Sequence, residues 1–140
     1  MRERIMITIG AAGALIASAL GGWDTAIAAL SFFIATDYVT GLIVAGVFKT
    51  SPKSEHGALD SRISFRGIVK KFMIFVMVAV AYQIDMLLGK EFMRYGVIIA
   101  FMANELLSII ENTGLMSIYI PNTLKQAVDI LKKREGSKDE

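Results

Sequence analysis

Four apolar stretches constrain this chain more than any other feature: Ile5 to Gly22, Thr25 to Phe48, Ile68 to Gly89, and Phe92 to Ile110. Each is close to the ~20 residues that an α-helix needs to cross about 30 Å of hydrocarbon. The sequence therefore predicts an all-α integral membrane protein. Composition agrees, because 54% apolar residues in a 140-residue chain would leave a water-soluble domain with too much apolar surface. "GGWD", Gly21 to Asp24, separates the first two stretches, and "GKE", Gly89 to Glu91, the last two. Both pairs read as tight helical hairpins, joined by a long polar connection from Lys49 to Gly67.

Charge placement orients the bundle, since cationic loops stay on the cytoplasmic side. With four spans, all of the 15 basic residues except Lys90 and Arg94 fall on one side. Both termini are thus expected in the cytoplasm, with the two short turns outside. Three spans with a mobile or interfacial first helix are the alternative, because that segment is short and rich in small residues. "MRER", an apolar run and "ASA" at Ala17 to Ala19 also imitate a secretory signal.

Beyond Ile110 the pattern changes. Gly114 and Pro121 are expected to interrupt or redirect the fourth helix. From Asn122 a short amphipathic helix follows, with Leu124, Val128 and Leu131 on one side and Lys125, Lys132 and Lys133 around the other. It suits the inner membrane interface, where anionic lipid attracts it. A second interfacial helix, capped by Asp60 or Ser61, is expected to lead into the third span. The organisation is then a membrane domain over 1–114, a cytoplasmic amphipathic segment over 115–134 and a disordered tail over 135–140.

Several chemistries lack their residues. Cysteine is absent, so there is no disulfide, thiolate metal site or cysteine nucleophile, and the one histidine, His56, lies in the polar connection. No metal, cofactor, nucleic-acid partner or catalytic residue is expected, and the eight methionines read as adaptable packing.

The informative residues are the polar ones inside the spans. At 100° per residue, Asp37 shares a face with Leu30, Thr40, Gly41 and Val44, which makes that face the bundle interior. Asp85 shares one with Ile74, Val78, Ala81, Lys71 and, less centrally, Lys70, while Glu91, Arg94, Ile98, Phe101, Glu105, Ser108 and Asn112 form a stripe on the fourth span. Asp85 and Arg94 flank the outer turn, and an ion pair across the hairpin is expected between them. Asp37 and Glu105 lie deeper, at about the same level, with Lys71 approaching from the inner side and Thr40, Tyr38 and Asn104 offering hydrogen bonds. A charge at the bilayer centre costs about 2.5 to 3.5 kcal/mol, so these acids need partners, protons or water. They either line a lumen or form a closed polar core. The first helix has no interior acid; Gly10, Gly13, Ala14, Ala17, Ser18 and Gly21 give it a small-residue stripe for close packing, within one subunit or between subunits.

"DYVTG", "RISFRGIVKK" and "ELLSIIENTGLMSIYIPNTL", in this order over roughly residues 25 to 125, resemble the toxin-secretion/phage-lysis holin family. The resemblance places Asp37, Thr40, Gly41, Gly67, Lys70, Lys71, Glu105, Ser108, Glu111, Asn112 and Pro121 in its shared blocks. It implies a non-enzymatic phage or prophage protein that oligomerises in the bacterial inner membrane. There it opens lesions at a set time and lets endolysin or a toxin out. Two other functions use the same features: a small four-helix proton-coupled exporter, although such exporters carry their key acid in the first helix, and a membrane adaptor that docks a soluble partner on its basic surface.

Overall fold

The computed structural model describes residues 1–136, with side chains as far as residue 134. The described residues are helical and contain no strand: α1 (Arg2–Ala19), α2 (Thr25–Ile43) prolonged by a π-helical turn (Val44–Phe48), α3 (Ser61–Leu88), α4 (Met93–Leu115) and α5 (Asn122–Gly136). Three segments are long and apolar enough to cross a membrane, Thr25–Phe48, Ser61–Leu88 and Met93–Leu115. The helix α4 is central, packing against α2, α3 and α5. Leu20, Ile27, Leu30, Ile34, Ile74, Val78 and Ile98 form the shared core. Phe32, Phe72, Met77 and Met86 point outward, as apolar residues do where lipid is the solvent.

The helix ends follow from local chemistry. After α1, Gly21 N–H donates to Ser18 O and Gly22 N–H to Ala17 O, a Schellman closure with both glycines at positive φ. Asp24 then caps α2 by accepting from Ile27 N–H at 3.0 Å. Asp60 caps α3 in the same way, through Arg62 N–H and Ile63 N–H. Gly89 in the left-handed region ends α3.

Three expectations need correction. No separate interfacial helix precedes the third span, because Ser61 to Gly67 form the first turns of a continuous 28-residue α3. Gly114 does not end α4; the helix passes through it and closes where Ser117 takes φ 61°, with Ser117 N–H bonded to Gly114 O and Ile118 N–H to Thr113 O. The stripe on α1, expected to pack within one subunit or between subunits, has little laid against it in the single chain. Gly10, Gly13, Ala14 and Ser18 are exposed, α1 buries no residue, and only Gly21, beyond its end, is in close contact. Finally, α5 takes in residues 135 and 136 of the expected tail. The rest of that tail, 137–140, lies outside the described residues.

Candidate functional site

Two polar clusters interrupt the apolar bundle. The deeper one joins α2, α3 and α4. Lys71 of α3 pairs with the carboxylates of both Asp37 and Glu105, whose side chains are 5% and 8% exposed against 19% for Lys71. One ammonium therefore bridges two acids that would otherwise repel each other in low dielectric. Asn112, two turns beyond Glu105 on the same stripe, donates to Asp37 Oδ1 at 3.1 Å, to Asp37 O at 3.3 Å and to Thr40 Oγ1 at 3.0 Å. Gly41 lies beside this contact, and a Cβ there would meet Asn112 Nδ2 at 3.7 Å, an ordinary van der Waals distance. The cluster is thus anchored on α2 through backbone as well as side chain.

A cavity of about 750 Å³ opens beside this cluster, at the end of the bundle where α2 finishes, α3 begins and α4 finishes. Asp37, Lys71, Ser108 and Asn112 form part of its wall, so the buried charges are not sealed behind apolar side chains.

The second cluster lies at the opposite end. Asp85, buried on α3, accepts from Met93 N–H at 2.8 Å and Arg94 N–H at 2.9 Å, capping α4 from a neighbouring helix. The expected Asp85–Arg94 ion pair is not formed. The guanidinium of Arg94 instead turns to the α1–α2 turn. There it donates to Leu20 O and Gly22 O and pairs with Asp24 at 2.7 Å. The cause is local: the carboxylate of Asp85 is consumed by the orphan N–H groups of a helix start that carries no cap of its own. Arg94 holds the Asp24 carboxyl below the usual carboxylate range by hydrogen bonding, against a smaller opposing effect of burial.

Other expected residues stay outside the buried bridge, although Lys70 and Glu111 line the cavity beside it. Lys70, Glu91, Asn104 and Glu111 are exposed. The spacing of the ionisable residues does not single out Asp24 as Arg94's partner, although its place just before an apolar run marks it as a capping residue at the level of the outer turn. Among the described residues no group of three or more His, Asp or Glu side chains is placed to hold a metal ion.

The sequence profile described as the bacteriophage holin family matches residues 14–133. This chain belongs to that family. Both polar clusters lie inside the matched region, while most of α1 precedes it. Among similar proteins, a "probable holin" of Bacillus phage phi105 is 30% identical over 105 residues, 74% of this chain and 72% of the relative. An uncharacterised protein of Listeria innocua is 36% identical over 129 residues, 91% of this chain and 86% of the relative. A 14.9 kDa Clostridium perfringens protein from the nagH 3′ region is 36% identical over 125 residues, 88% of this chain and 89% of the relative. No solved structure matches this holin-family chain.

Proposed function

We propose that the chain is a non-enzymatic holin that accumulates in the bacterial cytoplasmic membrane, oligomerises there and opens lesions at a timed point, releasing endolysin or a toxin. The observation that carries this reading is the Asp37–Lys71–Glu105 bridge inside the membrane-spanning bundle of a holin-family chain. In the resting state these groups satisfy one another. In the open state the same face turns to water, and the apolar faces meet neighbouring subunits and lipid. Moving one charge fully across 100 mV is worth about 2.3 kcal/mol, so a few charges are enough for the membrane potential to bias the switch.

Both termini face the cytoplasm in this reading, residues 1–114 make up the membrane domain, and residues 115–134 lie on its inner surface. The helix α1 is the fourth span. Its 18 residues measure about 27 Å, and its unpacked small-residue stripe is free to contact another subunit.

Controlled expression in bacteria tests the proposal, with membrane potential and lysis followed with and without a co-expressed endolysin. Abrupt depolarisation, with lysis only when endolysin is present, is the expected outcome. Steady growth at high expression sinks it, and drug resistance without lysis would favour an exporter.

A further inference from the structure

The cavity at the junction of α2, the π-helical turn, the 49–60 connection and α3 has a chemistry that the Asp37–Lys71–Glu105 bridge does not use. Its volume of about 750 Å³ lies within the range of small-molecule sites, roughly 300 to 1,000 Å³. Three basic side chains in its wall, Lys53, Arg66 and Lys70, have no ion-pair partner among the described residues, whereas Lys71 is already paired. Asp60 is engaged as the α3 cap, which leaves Glu111 as the one acid in the wall with no partner among the described residues. The unpaired side chains of the wall are thus three cations against one carboxylate. Ser54 Oγ, also in the wall, is buried and has no hydrogen-bond partner among the described residues. Buried hydroxyls rarely stay unpaired, and a single enclosed water is the smallest group that would satisfy this one.

The remaining wall is apolar, with Leu42, Val44, Ile63 and Leu115 on the ends of three membrane-spanning segments. A ligand that fits must be anionic at one end and apolar at the other. It must also reach the site from the polar boundary of a bilayer, which describes a phospholipid better than a soluble metabolite. We propose that this cavity binds the headgroup of one anionic glycerophospholipid. Its phosphate meets Lys53, Arg66 and Lys70, and a headgroup hydroxyl donates to Glu111. Its acyl chains leave along α2 and α4 into the bilayer. Phosphatidylglycerol carries both the phosphate and the hydroxyls this arrangement requires. The site rests on membrane embedding and is independent of lesion formation.

Native mass spectrometry of the full chain, delipidated in mild detergent, reads the site directly. It is titrated with phosphatidylglycerol, phosphatidylethanolamine and phosphatidylcholine of identical acyl chains. One retained phosphatidylglycerol per chain, held about tenfold more tightly than phosphatidylcholine, is expected. R66Q/K70Q should remove that preference, while K132Q/K133Q on α5, with the same loss of charge outside the cavity, should leave it intact. If R66Q/K70Q loses helical content by circular dichroism, Lys53→Gln in the connection is read in its place, with a loss of roughly fivefold. Equal retention of the three lipids, a preference for phosphatidylethanolamine, or an equal loss in K132Q/K133Q overturns the proposal. Displacement of the lipid by millimolar inorganic phosphate or glycerol phosphate also overturns it, assigning the cavity to a soluble phosphate compound.

Discussion

Asp85 and Arg94 meet through backbone, not charge: the carboxylate accepts the N–H of Arg94 at 2.9 Å while the guanidinium of Arg94 reaches away to Asp24. The two residues therefore hold different junctions, Asp85 the α3–α4 turn and Arg94 the attachment of the α1–α2 turn. Replacing Asp85 by Ala leaves two N–H groups at the start of α4 without an acceptor, and a cost of about 1 to 3 kcal/mol in unfolding free energy is expected. Arg94→Gln should chiefly loosen the other junction. Amide hydrogen exchange separates the two, with protection lost at Met93 and Arg94 in the first variant and around Gly21 to Asp24 in the second. The same pattern in both would contradict the division.

Asp24 gives the Arg94 junction a dependence on acid. Its carboxyl is held below the ordinary value of about 4, so between the two values the unfolded chain binds the proton that the folded chain does not. The stabilisation is present above the ordinary value and disappears as pH falls through the folded one. Thermal unfolding in detergent should show a steeper loss below about pH 4 in wild type than in Asp24→Asn. Parallel curves for the two proteins would refute the linkage. The side chain is 39% exposed, so the difference is expected to be small and to shrink with added salt.

Gly21 and Gly22 both have positive φ but different surroundings. A Cβ on Gly21 would lie 2.7 Å from Tyr82 Cδ2 and 2.9 Å from Arg94 Nε, whereas one on Gly22 meets nothing within 4 Å. Gly22→Ala therefore carries backbone strain alone, about 1 kcal/mol, and Gly21→Ala adds a collision that displaces Arg94. Comparing the two unfolding midpoints checks this, and equal destabilisation would count against the close approach.

The legible part of the fold was what a 3.6-residue period carries. Ile74, Val78, Ala81 and Asp85 form the buried face of α3, and the phase of Asp37 on α2 and of Glu105 on α4 followed from the same period. Capping by Asp60 was equally local. What depended on competition between partners was not legible. Asp85 and Arg94 are at the right depth to pair, yet nothing in their spacing says that backbone N–H groups will claim one and turn carbonyls the other. Lys71 reaching both acids, instead of one, is a matter of where α3 sits between α2 and α4. The small residues of α1 look the same in sequence whether or not a helix lies against them.

Ser117 closes α4 in a left-handed conformation that non-glycine residues adopt only at a cost. Ser117→Gly should stabilise the chain by roughly 0.5 to 1 kcal/mol, seen as a raised thermal midpoint in detergent. No change, or a fall, would mean that the serine side chain contributes more than its backbone costs.

Lys71 is the shared counter-charge of two carboxylates, so its removal should be worse than removal of either acid. Lys71→Met leaves Asp37 and Glu105 facing each other in the bundle, and breaking a buried pair in this way costs about 3 to 5 kcal/mol. Asp37→Asn keeps the Lys71–Glu105 pair and an acceptor for Asn112, and should be milder. The double variant Lys71→Met/Asp37→Asn removes one charge of each sign from the bridge, and is expected to recover part of the loss caused by Lys71→Met. Unfolding in detergent gives the stability cycle, and lysis time after induction gives the functional one. If the bridge holds the resting state, Asp37→Asn shifts lysis time while membrane insertion stays normal, and Lys71→Met shifts it further. Unchanged timing at equal membrane levels, together with a measurable loss of stability, would make the bridge a structural clamp with no part in triggering.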